Sequence, residues 1–267
     1  MATGHERESL SGRLGFLLIS AGCAIGFGNV WRFPYIAGEY GGAAFVLVYL
    51  LFLLLLAMPI MIMEFAVGRA SRLNIAKGFP KLRPERKSWK HIALVMFLGN
   101  YLLMMFYTTV SGWTLAYCWY TASGQLSGLS PVHVGDFFNT TLQDPTLQVG
   151  WMLAAVFIGF AVCGIGLRKG VEFFCTLMMC GLFLLVIILA MRAVTLDGAA
   201  EGLKFYLMPD FSKLVDKGLG KSLYAALGQA FFTLSIGVGS MAIFGSYLGK
   251  ERRLTGESLS IVGMDTF

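Results

Sequence analysis

Two uncharged stretches, each inside a run long enough to cross a bilayer, are interrupted by Gly-x-Gly: residues 21–29, AGCAIGFGN, and residues 232–240, FTLSIGVGS. In hydrocarbon every backbone amide and carbonyl must find a partner, so a spanning segment is expected to be continuous helix. Gly26, Gly28, Gly237 and Gly239 raise the entropic cost of that helix and mark where the backbone is expected to unwind. Unwound backbone at that depth survives only against protein or a wet cavity, where its freed groups can hold an ion or a charged solute. The second interruption also sits in a run too long for a straight rod. Residues 222–249 carry no charge over 28 positions, against the ~20 residues that fill a ~30 Å core at ~1.5 Å each.

The rest of the chain reads the same way. It is 57% hydrophobic and 13% charged, a bilayer composition and not that of a soluble domain. Apolar runs predict spans at about 14–36, 42–68, 92–120, 148–167, 172–192 and 222–247, with a seventh starting near 257. One membrane domain over 1–267 is expected, truncated in its seventh helix, with sizeable connections at 69–91, 121–147 and 193–220. The net charge of +6 does not point to nucleic acid, because of where it sits. From Arg69 to Lys90 there are eight Lys or Arg and one acid, Glu85, whereas 121–149 holds only Asp136 and Asp144. That is the positive-inside pattern, and it sets the 69–91 loop and the amino terminus in the cytoplasm. The expected place is the plasma membrane, multi-pass, and for a bacterium its inner membrane.

Spans one and six carry the same break but start from opposite sides, the mark of an inverted repeat of five helices. The expected fold is therefore an all-α polytopic membrane protein of 5+5 inverted-repeat type with broken first and sixth helices, the arrangement of secondary transporters. An ion channel would call for pore-lining repeats or subunit rings in place of paired breaks. A non-transporting auxiliary membrane protein is the other alternative. No enzyme is expected: the five cysteines all lie in apolar runs as packing residues, and the three histidines are scattered.

At the first break, unwinding would free the carbonyls of Gly22, Ala24 and Ile25 for a hard cation and the amides of Phe27 and Gly28 for an anion, with the Asn29 side-chain oxygen at the same depth. Gly22-x-x-x-Gly26 alone would read as a helix-packing face. Asn29, Arg32 and Pro34 in the same span turn the balance, since an intramembrane arginine is costly and functional by default. At the second break Thr233 and Ser235 are expected as ligands, although hydroxyls in membrane helices commonly bond back to their own backbone. Gln229 stands one turn before. Tyr107 and Glu64 are further polar candidates, Glu64 having Arg69 as its simpler partner.

These residues carry a resemblance. RLGFLLISAGCAIGFGNVWRFPYIAGEYGGAAFVLVY followed by PIMIMEFAVGR within 13–69, the stretch 97–117, LKFYLMPDF at 203–211 and ALGQAFFTLSIGVGSMAIFGSYLGK at 226–250 resemble the neurotransmitter:sodium symporter family. The short, cysteine-free 121–147 loop resembles its bacterial branch. The resemblance implies a symporter that imports an amino acid with sodium by alternating access, without an enzymatic cofactor. One sodium would be held by the Ala24 carbonyl, Asn29, Thr233 and Asp265, and a second by the Gly22 and Ile25 carbonyls with ligands from an eighth helix. The substrate carboxylate would meet the Phe27 and Gly28 amides and the Tyr107 hydroxyl. Its ammonium would meet the carbonyls of Ala24, Phe232 and Thr233 with Ser235 nearby, and Leu103, Phe232 and Val238 would line the side-chain pocket. Arg32 and Phe232 would form the outer gate, Arg7 and Tyr247 the inner one. Tyr49 and Gln229 match the family's chloride site, whose deciding position would fall near 269. Gly26 stands where monoamine carriers have an acid, so an amino acid is expected, with a bulky aliphatic or aromatic side chain given Val238. Asp265 replaces the family's usual Asn and would add a full charge to the ion site. Cys180-Gly181 replaces a frequent proline.

Overall fold

The computed structural model describes residues 12–86 and 88–266. Among them every regular element is helical, and the chain falls into two compact units, Met1–Met96 with Glu172–Phe267, and Phe97–Val171.

In the first unit α1 (Arg13–Ala24) is followed by a π-wound turn at Gly28–Arg32 and α2 (Phe33–Glu39). The two helical pieces together are long and apolar enough to span, and they bend by 48° at the break. After a tight turn at Gly41 and Gly42, α3 (Ala43–Phe52), a second π-wound turn at Leu53–Ala57 and α4 (Met58–Ser71) form one span. Each of these two π-wound turns ends two residues before a proline, Pro34 or Pro59. A proline brings no N–H and its ring clashes with the carbonyl four residues back, so the ladder there widens. A short α5 (Ile75–Leu82), whose Asn74 cap accepts from the Lys77 amide at 3.2 Å, leads to α6 (Trp89–Ala122).

The second unit holds most of α6, then α7 (Pro131–Gln143) and α8 (Pro145–Gly164). Asp144 starts α8 by accepting from the amides of Thr146 and Leu147 at 2.9 and 3.1 Å. The 121–147 connection is thus partly a helix, with Asn139 exposed on it.

The chain returns to the first unit through α9 (Phe173–Val194), which runs unbroken past Cys180-Gly181. The 193–220 connection forms α10 (Ala199–Leu207) and α11 (Phe211–Asp216). Asp210 caps α11, and the Ser212 hydroxyl and amide that bond it hold its carboxyl below the usual carboxylate range. Lys217 pairs with Glu39 at 2.7 Å, which raises the lysine's pKa above its ordinary value. Then follow α12 (Leu219–Thr233), α13 (Ser240–Gly245) and α14 (Leu254–Thr266). The run 222–247, too long for a straight rod and expected to be interrupted at its Gly-x-Gly, is divided between α12 and α13.

Packing in this unit centres on Phe16, Phe45, Leu53, Met61, Phe65, Leu234, Met241 and Ile261, all buried. Close backbone packing helps: α4 and α13 approach so tightly that a side chain on Gly68 would run into the Ala242 carbonyl. Small residues at such crossings are the membrane's substitute for a hydrophobic driving force. Gly68→Val is therefore expected to cost at the upper end of the ~1–3 kcal/mol typical of overpacking. In size-exclusion profiles of the full-length protein in detergent it should shift from a single peak to aggregate; an unchanged monodisperse peak and melting temperature would contradict the close crossing.

Candidate functional site: two facing breaks and an oxygen cluster

The first break begins where α1 stops. Ile25 is extended (φ −77°, ψ 95°), and helical winding restarts with the Gly26 carbonyl accepting from the amides of Asn29 and Val30 at 3.1 and 3.2 Å. The second break runs from Leu234 to Gly239, with Gly237 at φ +86° and Gly239 at φ +78°. Ser235 lies there at φ +50°, a left-handed conformation that costs a non-glycine residue roughly 1–2 kcal/mol. Its hydroxyl offsets the strain by donating to the Cys23 carbonyl at 2.9 Å, and the Ser240 hydroxyl donates to the Ser235 carbonyl at 2.6 Å. One break thus satisfies the other.

Three side chains meet from three elements. Asn29 Nδ2 donates to Asp265 Oδ1 at 2.8 Å and to the Asp265 carbonyl at 3.0 Å. The Thr233 hydroxyl stands 2.7 Å from Asn29 Oδ1 and 3.0 Å from Asp265 Oδ2, donating its single hydrogen to one at a time. Asn29 comes from the restart after the first break, Thr233 from the last residue of α12, and Asp265 from α14. The hydroxyl of Thr233 therefore does not fold back on its own helix, and neither does that of Ser235. The cluster offers oxygen ligands, the donor set of a hard cation and not of a transition metal. It opens on a cavity of about 770 Å³ that is also lined by Ile25, Val30 and Tyr49.

The surrounding residues tie this cluster in place. Gln229 is buried and its Nε2 donates to the Gly28 carbonyl at 2.9 Å, so it anchors the first break from α12. Tyr49, buried on α3, packs its ring against Phe33 at 5.0 Å. A Cβ on Gly28 would lie 2.9 Å from the Phe232 ring, so only glycine lets that ring close over the break. The Arg32 guanidinium sits 4.8 Å from the centre of the same ring, a cation–π contact. A second cavity of about 740 Å³ opens beside Arg32, with Glu39, Lys221 and Tyr224 on its wall.

Glu64 departs from its simplest reading. Arg69 instead gives its guanidinium to the Arg252 carbonyl at 2.8 Å, and Glu64 Oε1 accepts from the Gly237 amide at 2.7 Å. Its buried Oε2 has no hydrogen-bond partner among the described residues. A carboxylate on α4 thus serves the unwound backbone of the second break, a task that spacing along the chain could not reveal. A second such tie is Arg13 to Glu257 at 3.0 Å, which joins the start of α1 to the start of α14.

Other candidates fall as follows. Gly22, Ala24 and Ile25 end α1, and Gly22 faces Met179 of α9. Phe27 precedes the π-wound turn, and Val238 is half-buried between the two left-handed glycines. Tyr247 follows α13 and lines a small cavity of about 180 Å³ with Arg13 and Glu257. Leu103 and Tyr107 lie on α6 in the second unit. Arg7 is outside the described residues.

A polytopic helical membrane protein in which two interrupted helices face each other across an oxygen cluster belongs to the class of broken-helix secondary transporters. Comparison with known proteins narrows the class. The family model of the sodium:neurotransmitter symporter family matches residues 7–141 and 138–266, and the chain belongs to that family. It is 40% identical over 253 residues to the uncharacterized sodium-dependent transporter YhdH of Bacillus subtilis, covering 95% of this chain and 55% of that one. It is 30% identical over 280 residues to the sodium-dependent serotonin transporter of Drosophila melanogaster, covering 92% of this chain and 44% of that one. The crystal structure of MhsT in complex with L-phenylalanine superposes with a TM-score of 0.87 at 41% identity, over 98% of this chain and 58% of that one. The chain therefore spans about half the length of the relatives it matches. Its family is one of transporters and not of enzymes.

Proposed function

We propose that this chain carries the coupling-ion site of a sodium-driven symporter that imports an amino acid with a hydrophobic or aromatic side chain. The observation that carries the reading is the meeting of Asn29, Thr233 and Asp265, with an Asn29–Asp265 contact of 2.8 Å, where both breaks and α14 converge. Sodium at this point would be bound by Asn29 Oδ1, Thr233 Oγ1, the Asp265 carboxylate and the Ala24 carbonyl. The Gly22 and Ile25 carbonyls would contribute to a second sodium, and Tyr49 with Gln229 to a chloride.

The substrate carboxylate would lie at the start of the half-helix that begins at Phe27 and Gly28, where the helix dipole favours an anion. Its ammonium would face the carbonyls of Ala24, Phe232 and Thr233 beside Ser235, and its side chain would lie against Phe232 and Val238. In alternating access Arg32 with Phe232 closes one side, and Arg7 with Tyr247 the other. The basic 69–91 connection and the amino terminus face the cytoplasm of a bacterial cell, by the positive-inside rule. Support for a bulky side chain comes from MhsT, 41% identical and solved with L-phenylalanine.

The direct test is uptake by the full-length protein in proteoliposomes, screening the twenty amino acids with sodium, with choline in its place, and with chloride replaced by gluconate. Saturable uptake of phenylalanine or leucine driven by an inward sodium gradient is expected. Uptake that persists undiminished in choline would reject the coupling, and uptake confined to glycine and alanine would reject the substrate class.

A further inference from the structure

We infer that α5 and the connection after it bind the headgroups of anionic phospholipids, and that this contact steadies the second break from below. α5 is two-faced. Ile75, Gly78, Phe79 and Leu82 fall at i, i+3, i+4 and i+7, while Lys77 and Lys81 fall four apart on the other side.

The apolar side is turned inward along Ile75, Gly78 and Phe79, while Leu82 at its end is exposed. Gly78 is buried, Phe79 stacks on Trp89 at 5.2 Å, and the Ile75 side chain fills the space where a side chain on Gly239 would go. Lys81 Nζ donates to the Ser71 carbonyl at 2.9 Å, clamping α5 to the end of α4. The polar side is open: Lys77, Arg83 and Arg86 are exposed, and Glu85 offsets only Arg83, at 3.6 Å.

Its position selects the partner. Three residues separate α4 from α5, a reach of at most ~11 Å at ~3.6 Å per residue. The exposed cations are therefore held at headgroup depth beside a membrane span, where Lys and Arg clusters attract anionic lipid. A soluble polyanion would gain nothing from that depth. Because Ile75 rests on Gly239, whatever fixes α5 also fixes the floor of the break that supplies Thr233.

The test is native mass spectrometry of the full-length protein released from detergent with phosphatidylglycerol or phosphatidylcholine, without sodium or amino acid. Its outcome therefore does not depend on whether the transport reading holds. The unmodified protein and Lys204→Gln are expected to retain phosphatidylglycerol in preference to phosphatidylcholine. Lys77→Gln with Arg86→Gln should weaken phosphatidylglycerol retention about twenty-five-fold, a factor of roughly five for each charge near the surface. The charge-keeping pair Lys77→Arg with Arg86→Lys should behave as the unmodified protein and so controls for misfolding. Full retention by the double Gln variant would overturn the assignment, as would equal loss in the charge-keeping pair. Displacement of the lipid by equimolar inorganic phosphate or polyglutamate would overturn it too, in favour of a free anion or an acidic protein partner.

Discussion

Asp265→Ala is expected to lower sodium-dependent substrate binding by about a hundredfold or more, the upper range for losing a group that fixes a metal site. Two effects add. The substitution removes the one carboxylate in the oxygen cluster, and it leaves Asn29 Nδ2 without the acceptor it reaches at 2.8 Å. A buried polar group stripped of its partner costs roughly 1–3 kcal/mol by itself. Asp265→Asn separates the two, because it keeps an oxygen toward Asn29 and Thr233 and loses only the charge. Apparent sodium affinity in Asp265→Asn should fall about tenfold while maximal uptake persists. The measurement is scintillation-proximity binding of labelled phenylalanine to the full-length protein across a sodium titration. If Asp265→Ala titrates with sodium like the unmodified protein, the cluster is structural and the ion binds elsewhere.

Glu64→Ala should damage the protein differently. The Gly237 amide, paired with Glu64 Oε1 at 2.7 Å, would be left inside the membrane region with no acceptor. Gly237 and Gly239 are in left-handed conformations and Ser235 is strained, so the loop keeps its shape through a few such bonds, of which the others are Ser235 to Cys23 and Ser240 to Ser235. The expected result is a ten- to hundredfold loss of substrate affinity, matching the ~1–3 kcal/mol of an unpaired buried donor. A lower melting temperature of the detergent-solubilised protein should accompany it. Glu64→Gln keeps a carbonyl acceptor and should retain most of both. Equal damage from Gln and Ala would mean that charge, and not hydrogen bonding, is what the site needs from this residue.

These two residues show where reading the chain alone stops. Asp265 could be proposed as a ligand only through resemblance, because nothing within its own helix distinguishes it from any polar residue near a span's end. Glu64 stands out in the sequence as a polar candidate, and the simplest partner the chain offers it is Arg69. In the folded chain Arg69 reaches Arg252 and Glu64 reaches Gly237 instead, 173 residues away. Thr233 and Ser235 carry the same lesson, since both hydroxyls cross to the first break where a helix in isolation would have them bond inward.

Local chemistry, by contrast, was legible. Hydrocarbon forbids unpaired backbone, so run length and the absence of charge marked the spans, and glycine spacing marked the two interruptions to within a residue or two. What only the tertiary structure decided is which freed group answers which. Glu64 on α4 turning to the second break, Gln229 on α12 to the Gly28 carbonyl, and Asn29 and Thr233 both to Asp265 are pairings across 32 to 236 residues. Such partners are chosen by how helices pack in three dimensions, and the order of residues along one helix holds no record of that choice.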